Sequence, residues 1–224
     1  MSFARDDVLA TIRRSLGVNG AEAPRLAEVE DRLSRAPEGI IPKRSRVNGA
    51  ERLALFKRQA EDALATVTLV PDAASVPAEA ARYLRDANLP ATLRIGDDPR
   101  LAAMPWDTTA IEVSKGPSGG GDLNALSHAF AGVAETGTLA MVSGSDNPTT
   151  LNFLPDNHLV VVAAGDLSGS FEEILEKLRA RYGKEKMPRT LNLITGPSRS
   201  ADIEQTLILG AHGPRKLHII VVEG

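Results

Sequence analysis

Two stretches of the chain, "HLVVVAA" (158–164) and "HIIVV" (218–222), are almost unbroken runs of Val, Ile, Leu and Ala. Side chains alternate between the two faces of a strand, so strands like these have to be covered on both sides. Both runs fall far short of the roughly 18 apolar residues that a membrane-spanning helix needs. They therefore demand a sheet buried between layers, and the rest of the chain supplies those layers. "GAERLALFKRQAEDALA" (49–65), "SVPAEAARYLRDANL" (75–89) and "SGSFEEILEKLRARYG" (168–183) are amphipathic at helical spacing. Between and around them, "TVTLV" (66–70), "ATLRIG" (91–96) and "TAIEV" (109–113) are strand-like. The fold class this predicts is α/β, a mostly parallel sheet covered by helices on both faces.

Residues 1–48 differ. "FARDDVLATIRRSLG" and "PRLAEVEDRLSRAP" are charged helices with narrow apolar stripes, and "EGIIPKRSRVNG" is a basic, Pro/Gly-punctuated linker. This predicts an N-terminal helical arm and linker over 1–48 and an α/β domain over 49–224. The arm either folds back on its own domain or docks on another subunit.

Composition excludes several functions. With 26 basic and 29 acidic residues the formal net charge is -3, which offers no global field for nucleic acid or an anionic membrane. The first residues carry charge throughout and do not form a secretory signal, so a cytoplasmic location is expected. There is no cysteine, which removes disulfides, a thiol nucleophile and thiolate-held iron–sulfur clusters. The four histidines, His128, His158, His212 and His218, lack metal-ligand spacing, and no metal site is expected.

Several loops remain as candidate sites. In the tail, "LNLITGPSRSADIEQTLILGAHGPRKLHIIVV" (191–222) reads as strand, loop, helix, loop, strand. If 191–195 is a parallel strand, Thr195, Gly196, Ser198 and Arg199 fall on the ligand edge of the sheet and at the positive end of a helix. Gly196 permits close approach of a ligand, the hydroxyls offer hydrogen bonds, and Arg199 suits a carboxylate or phosphate. The second loop, with His212, Gly213 and Arg215, then lies at the other end of that helix, about 16 Å away by helix rise. It is expected to be a structural turn or a partner contact. "AETGT" (134–138) sets Glu135, Thr136, Gly137 and Thr138 between two apolar strands. It is either a hairpin turn satisfying its own backbone or a site in which a desolvated Glu135 acts as base or nucleophile. Ser143 and Asn147 join the pocket if 138–143 runs parallel to the other strands. "KGPSGGGDL" (115–123) lacks nucleotide-loop spacing and reads as a mobile loop or a lid.

The blocks "AETGTLAMVSG", "LNFLPDNHLVVV" and "ITGPSRSADIEQTLILGAHGPRKLHIIVV" resemble the lactate-utilisation protein C family, the LUD domain. The resemblance implies a fold like that of the glucosamine-phosphate isomerase, ribose-phosphate isomerase and CoA-transferase superfamily. It also implies a part in oxidising L-lactate to pyruvate beside iron–sulfur partner proteins. A chain without cysteine would be the cluster-free component, binding no cofactor itself and holding a small carboxylate or phosphate. A separate isomerase- or CoA-transferase-like enzyme, or a ligand-binding regulatory module, stays open. The resemblance assigns no catalytic residue, and Glu135 is the one candidate.

Overall fold

The computed structural model describes residues 3–183, 186–201 and 207–224. The chain divides into two compact units, one ending at Ile40 and one spanning Ile41–Gly224. The first holds helices α1 (Phe3–Leu16) and α2 (Ala23–Arg35). Val8, Ile12 and Leu16 on α1 and Leu26, Val29 and Leu33 on α2 stay exposed.

The second unit is built on a six-stranded parallel sheet. Its strands are β1 (Thr66–Val70), β2 (Thr92–Ile95), β3 (Glu112–Lys115), β4 (Asn124–His128), β7 (Asn157–Ala163) and β12 (Lys216–Val222). The order across the sheet is β1-β12-β7-β4-β2-β3, with every neighbouring pair parallel. The apolar runs sit at its centre and face both ways. On one face, Val160, Val162, Ile219 and Val221 meet Leu55, Phe56 and Ala60 of α3 (Gly49–Asp62). On the other, Leu159, Val161, Ile220 and Val222 meet Val76, Ala80 and Leu84 of α4 (Val76–Asp86) and Leu101 of α5 (Pro99–Ala102). Each Val, Leu, Ile or Phe side chain among these contributes about 1.5–3 kcal/mol by leaving water. The α/β expectation holds.

The zone after β4 departs from it. The strands β8 (Leu167–Ser168), β5 (Ala131–Val133), β6 (Thr138–Val142) and β9 (Leu191–Ile194) form a second sheet in that order. Both β5–β6 and β6–β9 are antiparallel. One face of this sheet presents Leu139 and Met141 to α3 and the central strands. The other presents Val133, Ala140 and Val142 to Ile174 and Leu178 of α6 (Phe171–Tyr182). Thus 138–143 and 191–195 are not parallel strands of the main sheet. Nor does a helix follow "TGPS". Arg199–Ala201 (β10) and Leu207–Leu209 (β11) pair as an antiparallel two-stranded ribbon. The middle of the segment expected to be helical, 202–206, lies outside the described residues.

Candidate functional site

Losing that helix removes the spacer between the two tail loops, and the structure laces them together. The Ser198 N–H donates to the Pro214 carbonyl at 2.8 Å, and the Gly210 N–H donates to the Ser198 carbonyl at 2.9 Å. Arg215 and Lys216 both donate their N–H groups to the Asp156 carbonyl, at 2.7 and 3.2 Å, tying the second loop to the entry of β7. A cavity of about 250 Å³ opens between them. Thr195, Gly196, Ser198 and Arg199 from the first loop line it together with His212 and Gly213 from the second. The expected 16 Å separation is therefore wrong: the ribbon folds back, and both loops face one space.

The floor of the cavity comes from residues that the sequence reading left aside. Asn152 closes the 3-10 turn Thr149–Asn152, and His158 is the second residue of β7. Both line the cavity, and each is 1% exposed. His158 Nε2 lies 3.1 Å from Ser127 Oγ. Its Nδ1, and both amide atoms of Asn152, are buried with no hydrogen-bond partner among the described residues. Buried polar atoms are nearly always paired, and each unpaired one costs about 1–3 kcal/mol. Three such atoms belong to two residues that line this one cavity. Burial drives the His158 pKa down to about 3, so its ring is neutral. Arg199 is exposed and has no ion-pair partner among the described residues. Since β7 and β12 are parallel and contribute their second residues, His158 and Leu217, the cavity lies at the amino ends of these strands. The carboxyl edge anticipated for the site is the opposite one.

The remaining candidates fall at varied distances from this cavity. Thr138 Oγ1 lies 2.7 Å from both Thr136 Oγ1 and Thr195 Oγ1, so three hydroxyls connect the "TGT" turn to the cavity wall. Gly137 and Gly196 both have positive φ, +64° and +71°, and both seat on the C-terminal end of α3. A Cβ would come 2.3 Å from Ala60 N at the first and 2.0 Å from Ala63 O at the second, so these glycines serve packing. Glu135 lies outside the lining. Its Oε1 accepts the Phe171 N–H at 3.1 Å, at the start of α6, where a carboxylate favours the helix dipole. Ser143 and Asn147 follow the far end of β6, because β6 is antiparallel to β9 and pairs Val142 with Leu191. There Ser143 Oγ accepts the Thr190 N–H, and Asn147 donates to the Val142 carbonyl. Arg215 packs against Gly210, outside the lining. The 115–123 loop also stays away from the cavity; the N–H of its buried Ser118 donates to Thr150 Oγ1.

Residues 124–222, which run from β4 through the cavity loops to β12, match the family model for the LUD domain. More particularly, the chain is similar to the lactate utilization protein C of Geobacillus thermodenitrificans, 31% identical over 146 residues covering 57% of this chain and 61% of that protein. It is 34% identical over 92 residues to the lactate utilization protein C of Halalkalibacterium halodurans, covering 41% of this chain and 40% of that protein. The chain thus aligns with 61% of the length of one relative and 40% of the other. Among solved structures, a DUF162 family protein from Deinococcus radiodurans has the same fold: TM-score 0.57, 25% identity, 79% of this chain and 99% of that one. No described helix is long and apolar enough to cross a membrane.

Proposed function

We propose that this protein is a cytoplasmic, non-redox component of an L-lactate-utilisation system, and that the cavity holds a small carboxylate or phosphate. Iron–sulfur partner proteins would carry the electrons from lactate to pyruvate. The relatives' names support the system. The missing cysteines support the division of labour, since thiolates for clusters would have to come from another chain. The observation that carries the pocket is that the Arg199 guanidinium, without an ion-pair partner among the described residues, lines one small space with Asn152 and His158, whose polar atoms include three without a described hydrogen-bond partner. A carboxylate or phosphate gives the guanidinium a bidentate partner. The rival reading, an enzyme using Glu135 as nucleophile, draws no support from a carboxylate that caps α6 away from the cavity.

The test is reconstitution. Lactate-dependent reduction of an artificial electron acceptor is measured with the iron–sulfur proteins of the same organism, with and without this chain, and with Arg199→Ala. Activity should require the chain and fall about tenfold or more in the variant, the loss expected for a charged hydrogen bond. A full rate without this chain would sink the proposal.

A further inference from the structure

The cavity is chemically two-ended. Arg199 is the one permanently charged side chain in its described lining, and it lies at the exposed rim. The described floor carries no charge. Asn152 offers one amide donor pair and one carbonyl acceptor, all unpaired, and His158 offers one unpaired ring nitrogen. An amide and a neutral imidazole cannot compensate a buried carboxylate, whose transfer from water is costly unless it is paired with charge. They do match an uncharged oxygen: a hydroxyl uses both their donors and their acceptors, and a carbonyl uses the donors. The volume of about 250 Å³ is small and suits a compact guest.

We infer that the cavity selects short carboxylates bearing a hydroxyl or carbonyl oxygen on the carbon next to the carboxyl group, bound with the carboxylate outward at Arg199 and the uncharged oxygen inward at Asn152 and His158. The inference rests on the small-anion reading above and adds to it an orientation and two specificity-determining residues. Plain carboxylates lack the inward group and leave the floor unsatisfied. Inorganic phosphate, a mono- or dianion near pH 7, brings charged oxygens to that uncharged floor beside any hydroxyl it presents. A site built to hydrogen-bond a substrate oxygen discriminates strongly against the analogue that lacks it.

The experiment is calorimetric titration of the full chain with L-lactate, pyruvate, propionate and inorganic phosphate. L-lactate or pyruvate should bind about 10-fold or more tighter than propionate, the effect of one to two buried hydrogen bonds. In Asn152→Leu that preference should collapse, with propionate affinity largely kept. In Arg199→Ala lactate and propionate should weaken alike. Propionate binding as tightly as lactate, or phosphate binding where the carboxylates do not, overturns the inference and leaves the anion pocket standing. No binding by any of the four removes the anion pocket and the inference with it. The comparison among ligands on the unaltered chain decides the matter even if Asn152→Leu fails to fold.

Discussion

His158 and His218 carry the pH response of the fold. Burial lowers His158 to about 3 and His218 to about 4, although Glu79 beside His218 pulls the other way. His218 is held neutral in a chain of contacts. Thr66 Oγ1 lies 2.7 Å from its Nδ1, Glu79 Oε1 lies 3.1 Å from its Nε2, and the Tyr83 ring stacks on it at 4.1 Å. Burial would raise the Glu79 carboxyl, yet the Arg82 guanidinium gripping both its oxygens keeps it below its ordinary value. The sign is the same for all three groups. Folded values lie below unfolded ones, so the unfolded chain binds more protons on acidification, and stability is lost as pH falls. The histidine share is complete above about 6.5 and is lost from there down towards the folded values. At pH 5, His158 alone should have cost about 2 kcal/mol relative to pH 7, from 1.5 pH units at about 1.36 kcal/mol each. Urea denaturation at the two pH values should show that loss, and His158→Gln should flatten the slope between them. Equal stability of the unaltered chain at pH 5 and pH 7 would show that neither histidine is held neutral. The clue to such residues was present in the sequence. His158 opens an otherwise apolar run, and Asn152 sits inside "TLNFLP", where burial forces the question of what each bonds to.

At the level of elements, the helices and long strands were readable because their periods repeat. α3, α4 and α6 show several turns of apolar spacing, and β7 and β12 carry the unbroken apolar stretches 159–163 and 219–222. In the small sheet the apolar strands around "AETGT" and at 191–195 were readable but their antiparallel pairing was not, and β8 and the β10–β11 ribbon, of two or three residues a strand, give too few positions to reveal a period of two. In the tail, Ile203, Leu207 and Ile208 have spacing that favours a helix, but the segment's ends pair across the ribbon. Tertiary packing decided where local pattern was ambiguous. The same packing explains why "TGT" and "TGP" belong together: both turns need a glycine where they rest on the end of α3. Gly137→Ala should therefore destabilise by at least about 2 kcal/mol, combining a positive φ with a backbone clash. Gly165→Ala, where a Cβ meets nothing within 4 Å, should stay within about 0.5 kcal/mol. Thermal melts of the two variants check this, and a neutral Gly137→Ala would mean that the turn does not sit on α3 as described.

For the whole molecule, the question is where the α/β domain begins. Val47 is the first described residue of this unit to pack on its apolar clusters, and the compact unit starts at Ile41. Residues 41–48 are nonetheless part of its surface layer. Ser45 is 2% exposed, and its carbonyl comes so close to Gly169 that a Cβ there would lie 2.1 Å away. The Arg52 guanidinium binds this stretch to the domain by donating to the Val47 carbonyl and the Leu167 carbonyl, both at 3.0 Å, and to Asn48 Oδ1 at 2.8 Å. A chain starting at Ile41 should keep its melting temperature within about 2 °C of the full chain and keep its carboxylate binding, since a domain with its own core folds alone. A chain starting at Gly49 loses the Val47 packing and leaves the half-buried Arg52 guanidinium without two of its acceptors. At about 2–4 °C per kcal/mol for a domain of this size, it should melt several degrees lower. Equal melting of the two truncations would show that 41–48 contributes nothing. A collapse of both would show that the helices before Ile41 are needed for the domain to stand.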